Sequence, residues 1–166
     1  MSRSYWLVKS EPTVYAFTQL QKDKQTVWDG IRSFEARNNL RAMAKGDLIL
    51  FYHSNVGKAV VGIARVKRTA YQDPSTDEDW SAIELEPVAP LTHAVSLDDM
   101  RVNPKLETMA LLKKSRLSVT PVTEPEFHAV LTAGKTKLPK TAATSEAKSD
   151  AKSVTKSAAK KALKKA

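Results

Sequence analysis

Four short clusters of polar and aromatic residues carry the chemistry open to this sequence. They are Lys9-Ser10-Glu11, Trp28-Asp29-Gly30 with Arg32, Phe51-Tyr52-His53-Ser54-Asn55, and Ser115-Arg116-Leu117-Ser118. Each lies at the edge of an apolar element. Taken singly, each has a plain structural explanation: Trp28 and Phe51 fill a core, His53 ends a strand and Arg116 pairs with an acid. Taken together they offer aromatic faces, amide and hydroxyl groups, and two or three cations. A pocket that stacks a planar base and reads its edge by hydrogen bonds needs those ingredients. Stacking on an aromatic ring contributes on the order of 1–3 kcal/mol per base.

Other chemistries find little support. His53, His93 and His128 show no ligand spacing, and there is no cysteine to hold a metal. Asp77-Glu78-Asp79 lacks the glycine and spacing of a calcium loop and reads as a solvated acidic turn. Gly57 and Gly62 are too isolated to form a phosphate-cradling loop.

The elements that must position the clusters follow from periodicity and punctuation. Tyr5 to Lys9 reads as a strand stopped by Ser10-Glu11-Pro12, and a short helix is expected over Phe17 to Lys22. Trp28-Asp29-Gly30 reads as a turn. Ser33 is the expected N-cap of a helix running to about Ala44, with Ala36, Leu40 and Met43 facing the core. Arg37, Arg41 and Lys45 recur on another face as a basic stripe. Asp47 to His53, Ala59 to Tyr71 and Trp80 to Val88 are expected strands, with a polar loop over residues 73–79. Ser96 before Leu97-Asp98-Asp99 resembles a capping box, as does Thr123 with Glu126 ahead of Phe127, Val130 and Leu131. Leu106 to Lys114 is expected to be helical and Leu117 to Val122 a last strand.

About five strands interrupted by short helices suggest a small curved sheet or barrel of the α+β class. Successive long strands over residues 47–88 argue against a doubly wound parallel fold.

Charge divides the chain in two. Residues 1–132 hold 17 Lys+Arg and 16 Asp+Glu, whereas residues 133–166 hold 10 Lys and 2 acids. Recognition by the first part must therefore come from local arrangement, because its bulk charge is nearly zero. From Lys135 onward aromatics and glycine vanish and Lys, Ala, Ser and Thr take over, so residues 134–166 read as a disordered basic tail. Its composition is similar to the lysine–alanine tails of linker histones and bacterial histone-like proteins. No apolar run reaches the roughly 20 residues of a membrane span. With no signal peptide and no cysteine, a cytoplasmic location is expected, nucleoid-associated or, in a eukaryote, nuclear.

The runs Tyr5-Trp6-Leu7-Val8-Lys9-Ser10-Glu11-Pro12, Val27-Trp28-Asp29-Gly30-Ile31-Arg32 and Ala36-Arg37-Asn38 resemble the EVE-domain family. Gly46 to Ser54, Val61-Gly62-Ile63-Ala64 and Ser115 to Val119 complete the pattern in order, over roughly residues 4–132. The resemblance implies a PUA-like fold over residues 1–133, a bent β-barrel of about five to six strands flanked by short helices. It also implies a pocket for a modified base flipped from a DNA or RNA strand, with no cofactor. Separately from the resemblance, the protein is expected to be a monomer.

Carried over by position, Trp28 is an aromatic wall, Tyr52 and His53 lie near the pocket mouth, and Glu11 beside Lys9 and Ser10 accepts from a base amino group. Arg32, Asn38 and Arg116 hold phosphate or fix the pocket, while Ser54 and Ser118 add polar contacts; Asp29 and Leu117 belong to the same motifs. Phe34 agrees with a family aromatic, and Ser33 and Glu35 replace the commoner Asn and Gln. A competing reading is an amidohydrolase on the same scaffold. PUA-like proteins of the ASCH family use a lysine, a hydroxyl residue and a glutamate on acylated cytidine, residue types that Lys9, Ser10 and Glu11 supply. Against it, neighbouring strand residues such as Lys9 and Ser10 point to opposite faces.

Overall fold

Strands that are apolar on both faces must be covered on both, and this decides the architecture. In the computed structural model, which describes residues 4–139, β1 (Tyr5–Ser10) pairs in parallel with β3 (Leu48–His53) at the centre of a sheet. Leu7, Leu48, Leu50 and Tyr52 enter one buried cluster, and Trp6, Val8, Ile49 and Phe51 enter the other. The period of two separates the sets, and neither could face water without exposing several large side chains.

The sheet has six strands in the order β2-β5-β4-β3-β1-β6, where β2 is Thr26–Trp28, β4 Ala59–Gln72, β5 Ser81–Ser96 and β6 Val119–Val122. All pairs but β1–β3 are antiparallel. The edge strands β2 and β6 do not meet, so the implied barrel is an open sheet, bent where register shifts interrupt the β3–β4 and β4–β5 ladders. One face carries α1 (Phe17–Asp23) and α2 (Phe34–Ala42) through Phe17, Leu20, Ala36 and Leu40. The other carries α3 (Leu97–Arg101), a 3₁₀ turn (Pro104–Leu106), α4 (Ala110–Lys113) and α5 (Glu124–Ala133). Met100, Leu106, Leu111 and Phe127 pack from these elements into the first cluster.

The expected caps are present. The Ser33 hydroxyl accepts from the Ala36 N–H, and both capping boxes, Ser96 with Asp99 and Thr123 with Glu126, are closed in both directions.

Three local expectations are corrected. Residues 26–28 form a short strand ahead of the turn at Gly30, because they hydrogen-bond with β5. β5 runs on to Ser96, since Pro87 and Pro90 fall where the ladder is irregular and a missing N–H costs little. The single helix over residues 106–114 is two turns, broken at the buried, extended Met109.

Beyond α5, residues 134–138 stay on the domain: His93 N–H donates to the Gly134 carbonyl, Thr92 N–H to the Thr136 hydroxyl, and Leu138 packs against the core. The expected tail lies, from residue 140 onward, outside the described residues.

Candidate nucleic-acid interface

Parallel strands end together, so β1 and β3 deliver Lys9-Ser10 and Tyr52-His53 to one rim of the sheet. The Ser54 N–H donates to the Ser10 carbonyl and continues the ladder by one step. Because β6 is antiparallel to β1, the loop that precedes it, Ser115 to Ser118, arrives at the same rim. Two bonds tie it down: the Lys9 ammonium donates to the Ser115 carbonyl at 2.6 Å, and the Lys9 N–H to the Ser118 carbonyl at 3.0 Å.

These segments enclose a cleft of about 900 Å³, within the size range of small-molecule sites. Lys9, Ser10, Glu11, Trp28, Asp29, Tyr52, Ser54, Arg116 and Ser118 line it. Trp28 is half-buried and stands edge-on to Phe51 (centroids 5.5 Å) and to Tyr15 (6.2 Å). Tyr15 also lines the cleft, with its hydroxyl donating to Asp23. The walls carry four cations, Lys9, Lys58, Arg101 and Arg116, against the two carboxylates of Glu11 and Asp29. The neutral bulk of the domain thus conceals a locally cationic cleft.

Burial acts on the wall residues as their surroundings require. Desolvation lowers the Lys9 ammonium below its ordinary value. Tyr52 and Tyr15 are both raised, chiefly by burial, and for Tyr52 nearby Arg101 offsets part of the effect.

Four expected residues do not reach the cleft wall. Arg32 donates to Asp73 at 2.9 Å and to the Ser75 hydroxyl. Asp73 is fully buried and also accepts from Gly30 N–H and from Ser75. Burial alone would push its carboxyl up; the hydrogen bonds from Ser75, Arg32 and Gly30 outweigh that and hold it below the carboxylate range. Arg32 therefore fixes the turn that carries Asp29. The Asn38 side chain accepts from the Arg37 guanidinium on α2. His53 accepts the Phe17 N–H on Nε2 (3.1 Å), and Leu117 is buried among the α2-side core residues. The basic stripe is also corrected, because Arg37 and Arg41 both reach Asp79, at 3.4 and 2.6 Å.

Sequence reading missed Tyr15, Lys58, Arg101 and the apolar wall of Leu111 and Leu112. Tyr15 alone left a signal, an aromatic in the polar stretch directly after Glu11-Pro12. Among the described residues no cluster of acidic, His or Cys side chains suits a metal, and no helix is long and apolar enough to cross a membrane.

Residues 4–133 match the family described as EVE domain. Thymocyte nuclear protein 1 of Rattus norvegicus is 34% identical, over 77% of this chain and 72% of its own length. The crystal structure of protein Atu2648 from Agrobacterium tumefaciens shares 40% identity with a TM-score of 0.78, covering 82% of this chain and 99% of that one. The human THYN1 protein, solved in complex with DNA containing 5-methylcytosine, shares 30% identity with a TM-score of 0.73, covering 81% of this chain and 99% of that one.

Proposed function

Since the chain belongs to the EVE domain family, we propose that its cleft reads a modified base in a nucleic-acid strand. The observation that carries this reading is the cleft wall itself. It joins the half-buried Trp28 to two carboxylates and four cations at one rim of the sheet. The aromatic face receives the planar base, Glu11 or Asp29 accepts from an exocyclic amino group, and the cations meet the flanking phosphates. Glu11 is suited to this, since its carboxylate makes no hydrogen bond among the described residues. The human relative bound to 5-methylcytosine DNA supports the same use of the fold and makes that base the first probe.

The reading requires no catalysis. The desolvated Lys9 is the one observation that favours the amidohydrolase alternative. Two bonds weigh against it: Lys9 donates to the Ser115 carbonyl, and the Ser10 hydroxyl donates to the Tyr15 carbonyl at 2.6 Å. Neither group is positioned to activate the other. A new product mass after incubation with acylated cytidine would reverse that judgement.

The lysine-rich C-terminal residues fit an auxiliary role, adding affinity that is indifferent to sequence. Such a protein works wherever its nucleic acid is, in cytoplasm or nucleus.

The test is Trp28→Ala, with melting temperature and affinity for matched methylated and unmethylated strands measured together. The variant is expected to stay folded and lose its preference for the methylated strand. A folded variant that still discriminates would sink the reading.

A further inference from the structure

A base held within a strand carries sugar and phosphate on two sides, so a cleft that receives it must let the chain out in two directions. At the cleft rim the strands lie in the order β5, β4, β3, β1, β6. Ser96 pairs with Ala59, Ala59 and Ser10 both pair with His53, and Val8 pairs with Val119. The 54–58 turn and the start of α3 therefore stand on one flank of β1 and β3, and the 115–118 loop on the other.

A groove adjoins the cleft on each flank. The first, about 400 Å³, is lined by Asn55, Gly57, Lys58, Ser96, Asp98 and Arg101, and it shares Asn55, Lys58 and Arg101 with the cleft. The second, about 490 Å³, is lined by Ser33, Glu35 and residues 114–117, and it shares Ser115 and Arg116 with the cleft. Both are built alike. Each has one cation held by a carboxylate: Lys114 by Glu35 at 2.5 Å, and Arg101 by Asp98 at 3.6 Å. Each also has a cation, Arg116 or Lys58, whose side chain makes no hydrogen bond or ion pair among the described residues. Lys58 is fixed through its backbone instead. It lies in the left-handed region at φ 41°, beside Asn55 at 68° and Gly57 at 88°, and its carbonyl accepts the Leu97 N–H at 2.8 Å. A lysine keeps so costly a conformation only where its surroundings dictate it.

We propose that the two grooves are the entrance and exit of one path for the strand. The phosphate on one side of the read base lies at Lys58, and the phosphate on the other side at Arg116. The proposal rests on the base-reading role of the cleft and adds the form of its substrate: an internal base, with a nucleotide on each side. The unpaired cations select these occupants, because the nearest anions that a base in the cleft brings with it are its own two phosphates. A free nucleoside leaves both cations unmatched, and a terminal base leaves one.

The experiment uses the full chain, so that the lysine-rich C-terminal residues add equally to every comparison. Short single strands carry one 5-methylcytosine in the middle, at the 5′ end or at the 3′ end, with unmethylated strands as controls. Each is labelled away from that base and titrated by fluorescence anisotropy. Wild type should bind the internal base about 5- to 10-fold more tightly than either terminal one. Lys58→Gln and Arg116→Gln should each weaken the internal strand by a similar factor. Of the two end-placed strands, each variant should weaken a different one. Lys58→Arg, which keeps the charge, should bind as wild type does, and melting temperatures should hold because neither side chain has a partner to lose. Both variants acting on the same end-placed strand, or either acting equally on both or on neither, would overturn the path while leaving the cleft reading in place. Wild-type protein with no preference for the methylated strands would overturn the cleft reading and the path with it.

Discussion

The ring of Phe17 lies on Gly62: a Cβ built on the glycine would come within 2.4 Å of the ring's Cζ atom. The contact is between α1 and the first part of β4, and it explains a glycine within a long strand that otherwise favours branched residues. It also sets the height of α1 above the sheet, and so the position of Tyr15 at the cleft, two residues upstream.

Gly62→Ala is therefore expected to destabilise the protein by about 1–3 kcal/mol, since a stiff buried ring must move. It should weaken base binding as well, by displacing Tyr15. A double variant with Phe17→Leu should recover part of the stability. Denaturant titration of the three proteins checks this; a neutral Gly62→Ala would show that the helix is free to ride over the strand.

His53 makes the same region sensitive to pH. Its Nε2 accepts the Phe17 N–H, so the ring must be neutral to keep that bond, and burial lowers its pKa below the ordinary 6.5. The unfolded chain then binds the proton more readily than the folded one. The stabilisation is complete above pH about 6.5 and is lost as pH falls through the lower folded value. Melting temperatures between about pH 5 and 7 should fall more steeply for wild type than for His53→Gln. Parallel curves would contradict the assignment.

Two arginines once grouped together should behave differently. Arg32 holds buried Asp73, so Arg32→Gln leaves that carboxylate short of a partner and should lower stability by about 1–3 kcal/mol. Arg116 lines the cleft and makes no hydrogen bond or ion pair among the described residues. Arg116→Gln should leave melting unchanged, weaken methylated and unmethylated strands alike, and reduce the salt slope of binding by about one. Loss confined to the methylated strand would move Arg116 from phosphate to base.

Removing residues 140–166 takes away eight lysines and two acids. Affinity should fall strongly at low salt and little at high salt, with base preference and melting temperature retained. Filter binding across a salt series decides it. Equal affinity of both forms at low salt would assign these lysines no part in binding.

Much of this was legible in the residues alone. The run Leu48 to Tyr52 is apolar at every position, so it had to be a strand covered on both faces. Ser33, Ser96 and Thr123 announced their helices because a cap is a matter of three or four neighbouring residues. The ordered motifs from Tyr5 to Val119 identified the family, and counting charges separated a neutral domain from a basic C-terminal stretch.

Tertiary structure alone decided what each polar residue does. Arg32 and Arg116 look equivalent in sequence, but only the fold sets Asp73 beside one and leaves the other at the cleft. Arg37 and Arg41 form a basic stripe on α2 until the loop before β5 brings Asp79 to both. Thr26–Trp28 is too short to declare itself a strand and becomes one only because β5 is there to pair with it. Lys58 and Arg101 join the cleft from segments with no motif at all. The reason is common to all of them. Caps and periodicity depend on neighbours in the chain, whereas the partner of a charge is set by a fold that brings together residues forty or so positions apart, which no local pattern encodes.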